Sequence, residues 1–142
     1  MNYARKSWII AVISIVIFLI VVPFAVKKIF FPGFDDVMSR TSSLMNKKCP
    51  MMVDKITRLD NTVLLPGKVF QYNYTIISLD KSEIDTNQFK KGMETNIINL
   101  VKTSPELKYI REHEGILVYN YKDKNGKFIV AVYATPDKYI GD

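Results

Sequence analysis

Val69-Phe70-Gln71-Tyr72-Asn73-Tyr74-Thr75-Ile76-Ile77-Ser78-Leu79 is the stretch on which the fold turns. Phe70, Tyr72, Tyr74 and Ile76 fall on one side of an extended chain, and Gln71, Asn73 and Thr75 on the other, which is the period of two of a half-buried β-strand. Residues 52–65 before it alternate less regularly and end at Pro66-Gly67, so the two segments read as a hairpin. A second hairpin is predicted nearer the C-terminus, from Ile116 to Tyr121 and from Phe128 to Thr135. Its turn holds Asn125-Gly126, a pair that accepts positive φ. Tyr119-Asn120-Tyr121 in this hairpin echoes Tyr72-Asn73-Tyr74 in the first.

Between the hairpins, Asp85 or Thr86 caps a helix predicted from about Asn87 to Thr103. Phe89, Met93, Ile97, Leu100 and Val101 form its apolar stripe. Gly92 lies inside that helix, where it costs about 1 kcal/mol relative to alanine, and it is expected where helix and sheet approach closely. A shorter amphipathic helix is predicted from Phe34 to about Asn46. The economical arrangement is an α+β domain with a four-stranded, mostly antiparallel sheet, made of two hairpins and packed against one main helix.

The N-terminal region has a different composition. Trp8 to Val26 is a run of nineteen residues without a charge, WIIAVISIVIFLIVVPFAV. A helix rising about 1.5 Å per residue would carry this run across most of a hydrocarbon layer about 30 Å thick. Trp8, Ile9, Phe18 and Pro23 belong to the run, and Lys27 and Lys28 close it as snorkelling charges. Pro23 and the length of the run argue against a cleaved signal. The reading is an uncleaved transmembrane anchor over residues 1–31 with a short cytoplasmic tail, an amphipathic helical connector over 32–50, and a small α+β domain over 51–142. Arg5 and Lys6 before the run favour a cytoplasmic N-terminus and an extracytoplasmic domain.

Charge excludes one class of partner. The 142-residue chain has a formal charge of +6, but four of its twenty basic residues flank the apolar run. The remaining sixteen face fourteen acidic residues. No basic face for phosphates is predicted, so nucleic acid is not an expected partner. Cys49 is the only cysteine and His113 the only histidine, which rules out an intrachain disulfide and supplies a zinc site poorly.

The segments Pro50-Met51-Met52-Val53-Asp54, Thr57-Arg58-Leu59-Asp60-Asn61, Tyr72-Asn73-Tyr74-Thr75 and Tyr121-Lys122-Asp123-Lys124-Asn125-Gly126 occur in this order. Over about residues 46–135 the chain thereby resembles a loose group of small exported or membrane-anchored bacterial proteins of unassigned role. The resemblance implies a bacterial envelope setting and assigns no catalytic residue.

Cys49 and His113 are the one conceivable nucleophile and base pair, and neither has a local orienting partner in sequence. Asp54, Arg58 and Asp60 are expected on one strand face, as solvated charges or as an ion pair steadying the first hairpin. Asp123-Lys124-Asn125-Gly126 resembles the start of a calcium loop but lacks the later glutamate. Tyr72, Tyr74, Tyr119 and Tyr121 are expected on one sheet face, either as core or, if left uncovered, as an aromatic interaction surface together with Arg58. The functional expectation is a single-pass membrane-anchored, non-enzymatic interaction or accessory module of the bacterial envelope. It needs no cofactor or metal, and its partners are the lipid bilayer and a protein or a second copy. A pilin-like assembly subunit and a small envelope hydrolase are the alternatives.

Overall fold

The computed structural model describes residues 32–141, and Phe34–Asp142 form one compact unit. Helix α1 (Phe34–Asn46) leads into a two-residue strand β1 (Met51–Met52), followed by β2 (Thr57–Leu65) and β3 (Val69–Ile76). A 3-10 turn (Lys81–Glu83) and the main helix α2 (Thr86–Thr103) come next. A second 3-10 turn (Pro105–Leu107) then precedes α3 (Lys108–Glu112), β4 (Ile116–Lys122), β5 (Phe128–Ala134) and the short α4 (Pro136–Tyr139).

The sheet order is β1-β2-β3-β4-β5. This corrects the expected four-stranded sheet in two respects. Met51 and Met52 pair with Leu59 and Arg58, which adds a fifth strand too short to show a period. The two hairpins are then joined by parallel pairing of β3 with β4, with Phe70 beside Leu117, Tyr72 beside Tyr119 and Tyr74 beside Tyr121. Parallel neighbours need a long crossover, and the segment containing α2 and α3 supplies it. The expected membrane helix over residues 8–26 lies outside the described residues. Among the described residues no helix is long and apolar enough to cross a membrane. The fold class is therefore an α+β domain with a five-stranded open sheet.

One sheet face carries the core. Phe70, Leu117, Val132 and Ala134 are almost wholly buried there, with Ile97 and Val101 of α2 and Ile110 of α3 packed against them. Burying a side chain of this size stabilises the fold by about 1.5–3 kcal/mol. At the end where β4 begins, the ring of Phe34 closes over Gly115, and a Cβ there would stand 2.9 Å from Phe34 Cζ. A side chain at 115 would displace the first residue of α1.

Helix α1 is held to β2 by a polar seam. The Asn46 side chain accepts the Thr62 N–H at 2.7 Å and donates to the Thr62 C=O at 2.8 Å, so it pairs with the outer margin of β2 much as a neighbouring strand would. Ser42 Oγ lies 2.9 Å from Thr62 Oγ1 in the same seam. The β4–β5 turn is built on Asp123. Its side chain is shut off from solvent and accepts backbone N–H groups from Lys81, Asn125 and Lys127. Burial pushes its carboxyl up, but these three donors hold it below the usual range.

Candidate functional site

A cleft opens on the core face beyond the C-terminal end of α1. Its floor is the sheet, with Tyr74, Ile76 and Tyr121, and one wall is the β1–β2 loop, with Val53, Asp54, Lys55, Ile56 and Thr57. The opposite wall is one stripe of α2, with Asp85, Gln88, Phe89, Gly92, Met93 and Asn96. Two cavities of about 450 and 580 Å³ share Ile56, Ile76, Phe89 and Met93 and make up this cleft. Leu79, Glu83 and Ile84 close its far end.

Each wall is fixed by a local device of the sequence. Asp54 turns the β1–β2 loop by accepting the N–H groups of Ile56 at 2.8 Å and Thr57 at 2.7 Å. The first of these bonds is the main cause of a lowered Asp54 carboxyl. Asp85 caps α2 by accepting from the N–H groups of Asn87 and Gln88. Glu83 accepts the Asp80 N–H at 2.6 Å.

The floor is an aromatic ladder running in from the cleft. Tyr74 stacks on Tyr121 with ring centroids 5.2 Å apart, Tyr72 on Tyr119 at 5.0 Å, and Phe89 meets Tyr121 edge-on at 5.2 Å. Parallel register between β3 and β4 places the two pairs side by side. Tyr119 and Tyr121 are buried, while Tyr72 and Tyr74 are partly so. Burial pushes the Tyr72 phenol up to about 12 and raises those of Tyr74, Tyr119 and Tyr121 further. At the mouth, Val53 and Ile56 are exposed apolar side chains.

Of the residues singled out from sequence, Tyr74 and Tyr121 line the cleft and Tyr72 and Tyr119 lie deeper in the same ladder. Arg58 is elsewhere. Its register with Thr75 puts it on the opposite sheet face, where Nε contacts Asp60 Oδ1 at 2.7 Å. Trp8, Ile9, Phe18, Pro23, Lys27 and Lys28 lie outside the described residues. Cys49 lies near Tyr74 and Asp60, and burial followed by the Asp60 charge raises its thiol. The His113 ring stacks on Tyr109 with centroids 4.0 Å apart, and its carbonyl accepts Lys68 Nζ at 2.9 Å, beside the start of β3. About five residues of β3, roughly 16 Å, separate these two locations. The geometry does not make a nucleophile and base of them. Among the described residues no group of three or more His, Cys, Asp or Glu side chains could hold a metal ion.

Sequence reasoning missed Ile56, Ile84, Phe89, Gly92 and Met93 as site residues. The signal available for them was the helix-interior glycine flanked by Phe89 and Met93. Contrary to expectation, Gly92 does not mark a close approach of helix to sheet: a Cβ placed there meets no atom within 4 Å.

No curated protein matches the sequence. Solved structures with a similar fold include a protein from Pseudomonas aeruginosa described as secreted. It is 7% identical, with a TM-score of 0.63 over 75% of this chain and 92% of that one. The type 2 secretion system pilotin EpsS from Vibrio vulnificus is 8% identical, with a TM-score of 0.58 over 75% and 91% of the two chains. The type II secretion system pilotin AspS from Vibrio cholerae is 8% identical, with a TM-score of 0.55 over 74% and 91%. These identities show a shared fold alone. Among the described residues no helix is long and apolar enough to cross a membrane, and the fold is shared with two secretion-system pilotins; these findings correct the expectation of a single-pass anchored module and of a single-pass localisation. Residues 34–130 match the family described as a domain of unknown function, DUF8479, and the chain belongs to that family.

Proposed function

We propose that this domain is a non-enzymatic accessory module of the bacterial envelope, which holds an apolar segment of a protein partner in the cleft between α2 and the β1–β2 loop. The observation that carries this reading is the cleft itself. Its floor and walls are mostly apolar, exposed Val53 and Ile56 stand at its mouth, and no described part of the chain fills it. An apolar depression of several hundred Å³ with a few fixed polar groups is the usual form of a binding site. Met93 in the wall suits such a surface because a methionine side chain adapts to the partner's shape. The fold likeness to two secretion-system pilotins supports a binding role and an extracytoplasmic location. It also supports the alternative raised from the sequence, a pilin-like assembly subunit, better than a single-pass membrane-anchored module.

The test is site-specific photo-crosslinking of the full chain in its own host cell. A photoreactive residue replaces Ile56 or Met93 in the cleft, or Val63 on the opposite sheet face as a control. Discrete adducts from both cleft positions and none from Val63 are expected. Adducts from all three positions alike, or from none, would refute the proposal.

A further inference from the structure

We infer that the cleft's occupant is an α-helix of the partner protein, with an apolar stripe flanked by lysine or arginine side chains, seated against Gly92. This rests on the cleft being a partner site. The first observation concerns the floor. Tyr74, Ile76 and Tyr121 present a sheet face and not a sheet edge. An extended segment lying there would find no backbone partners for its own N–H and C=O groups, whereas a helix satisfies its own.

The second observation is charge. Asp54 stands on one wall, and Glu83 and Asp85 on the other and at the far end, against Lys55 alone among the basic lining residues. None of these three carboxylates belongs to any of the described salt bridges. Their hydrogen bonds to backbone N–H groups hold them in place without neutralising them. A negative rim around an apolar floor favours cationic flanks on the occupant and disfavours an anionic acyl chain.

The third observation is Gly92. Its backbone is ordinary helix and a Cβ there would meet nothing within 4 Å, so the fold has no use for a glycine at that position. Glycine inside a helix is unfavourable. It faces the cleft, and its missing side chain leaves a flat strip of backbone on which a second helix can lie close.

The experiment uses the full chain and two labelled peptides of equal length with the same leucine stripe, one flanked by lysines and one by glutamates, read by fluorescence anisotropy. Exposed rim pairs are each worth only a few-fold, so the lysine peptide is expected to bind roughly tenfold tighter. That ratio should fall toward one in a variant combining Asp54→Asn, Glu83→Gln and Asp85→Asn, which keeps the loop and cap hydrogen bonds. Gly92→Leu should weaken both peptides at least about tenfold with no loss of thermal stability. Equal affinities for the two peptides, both lost in Gly92→Leu, would overturn this inference while leaving the cleft as a partner site. A labelled fatty acid binding more tightly than either peptide would also overturn it. Binding of neither peptide would remove both this inference and the partner site.

Discussion

Replacing Gly92 by alanine separates what the fold needs from what the cleft needs. In the helix interior, alanine is favoured over glycine by about 0.5–1 kcal/mol, because glycine loses more backbone freedom on folding. That gain is realised only where the added methyl meets no resistance. At Gly92 no heavy atom lies within 4 Å of the Cβ position, and φ lies outside the left-handed region. The full gain is therefore expected. In a domain of this size 1 kcal/mol moves the melting temperature by roughly 4–6 °C, so Gly92→Ala should melt about 2–6 °C higher than the parent. Circular dichroism of the full chain on heating measures this, and peptide anisotropy on the same samples should show weaker binding. A melting temperature lowered by about 2 °C or more would refute the reasoning. It would mean that position 92 packs against the protein's own atoms.

Asn46→Ala removes the side chain that serves the Thr62 N–H and C=O. Asn46 is exposed and water replaces part of what is lost, so a cost of about 1–2 kcal/mol is expected by urea denaturation. The tyrosine ladder predicts an alkaline limit. Its phenols have raised values in the folded state, so their contribution is intact below about pH 10 and is lost as the pH rises through 10 toward 12 and above. Phenolate absorbance should stay behind that of the unfolded chain and then rise together with unfolding, and a smooth early titration of all tyrosines would contradict it. Asp123 acts with the opposite sign. Its lowered value gives stability above about pH 4 that is lost as the pH falls through the folded value. Asp123→Asn should be less stable at neutral pH and should lose less on acidification, as followed by thermal melts across that range.

Sequence periodicity was a sound guide where structure is local. Phe70, Tyr72, Tyr74 and Ile76 share the core face their spacing predicts, and Asp85 caps α2 because a short acidic side chain precedes an apolar-periodic run. Relations between distant segments were less legible. A period of two states which side of a strand is buried but not which strand lies beside it. The parallel junction of Tyr72-Asn73-Tyr74 with Tyr119-Asn120-Tyr121 therefore shows in sequence only as an echo. The strand Met51–Met52 is too short to carry any period and forms because β2 offers Arg58 and Leu59 as partners. The cleft was half legible. Tyr74 and Tyr121 were on view as a face, but nothing in local spacing reveals where a helix leaves that face uncovered. Arg58 was grouped with the tyrosines although strand alternation places it on the other face, where Asp60 neutralises it.

The amide of Asn46 on the outer margin of β2 bears on how the molecule behaves in a crowd. With β1 only two residues long, the rest of that margin would be a template for strands from other molecules. A side-chain amide already seated on Thr62 must be evicted before any such recruitment begins. The sheet thus stops growing by means of a neutral group, which leaves the nearby apolar mouth unshielded for its partner while denying fibrils and domain-swapped forms a place to start.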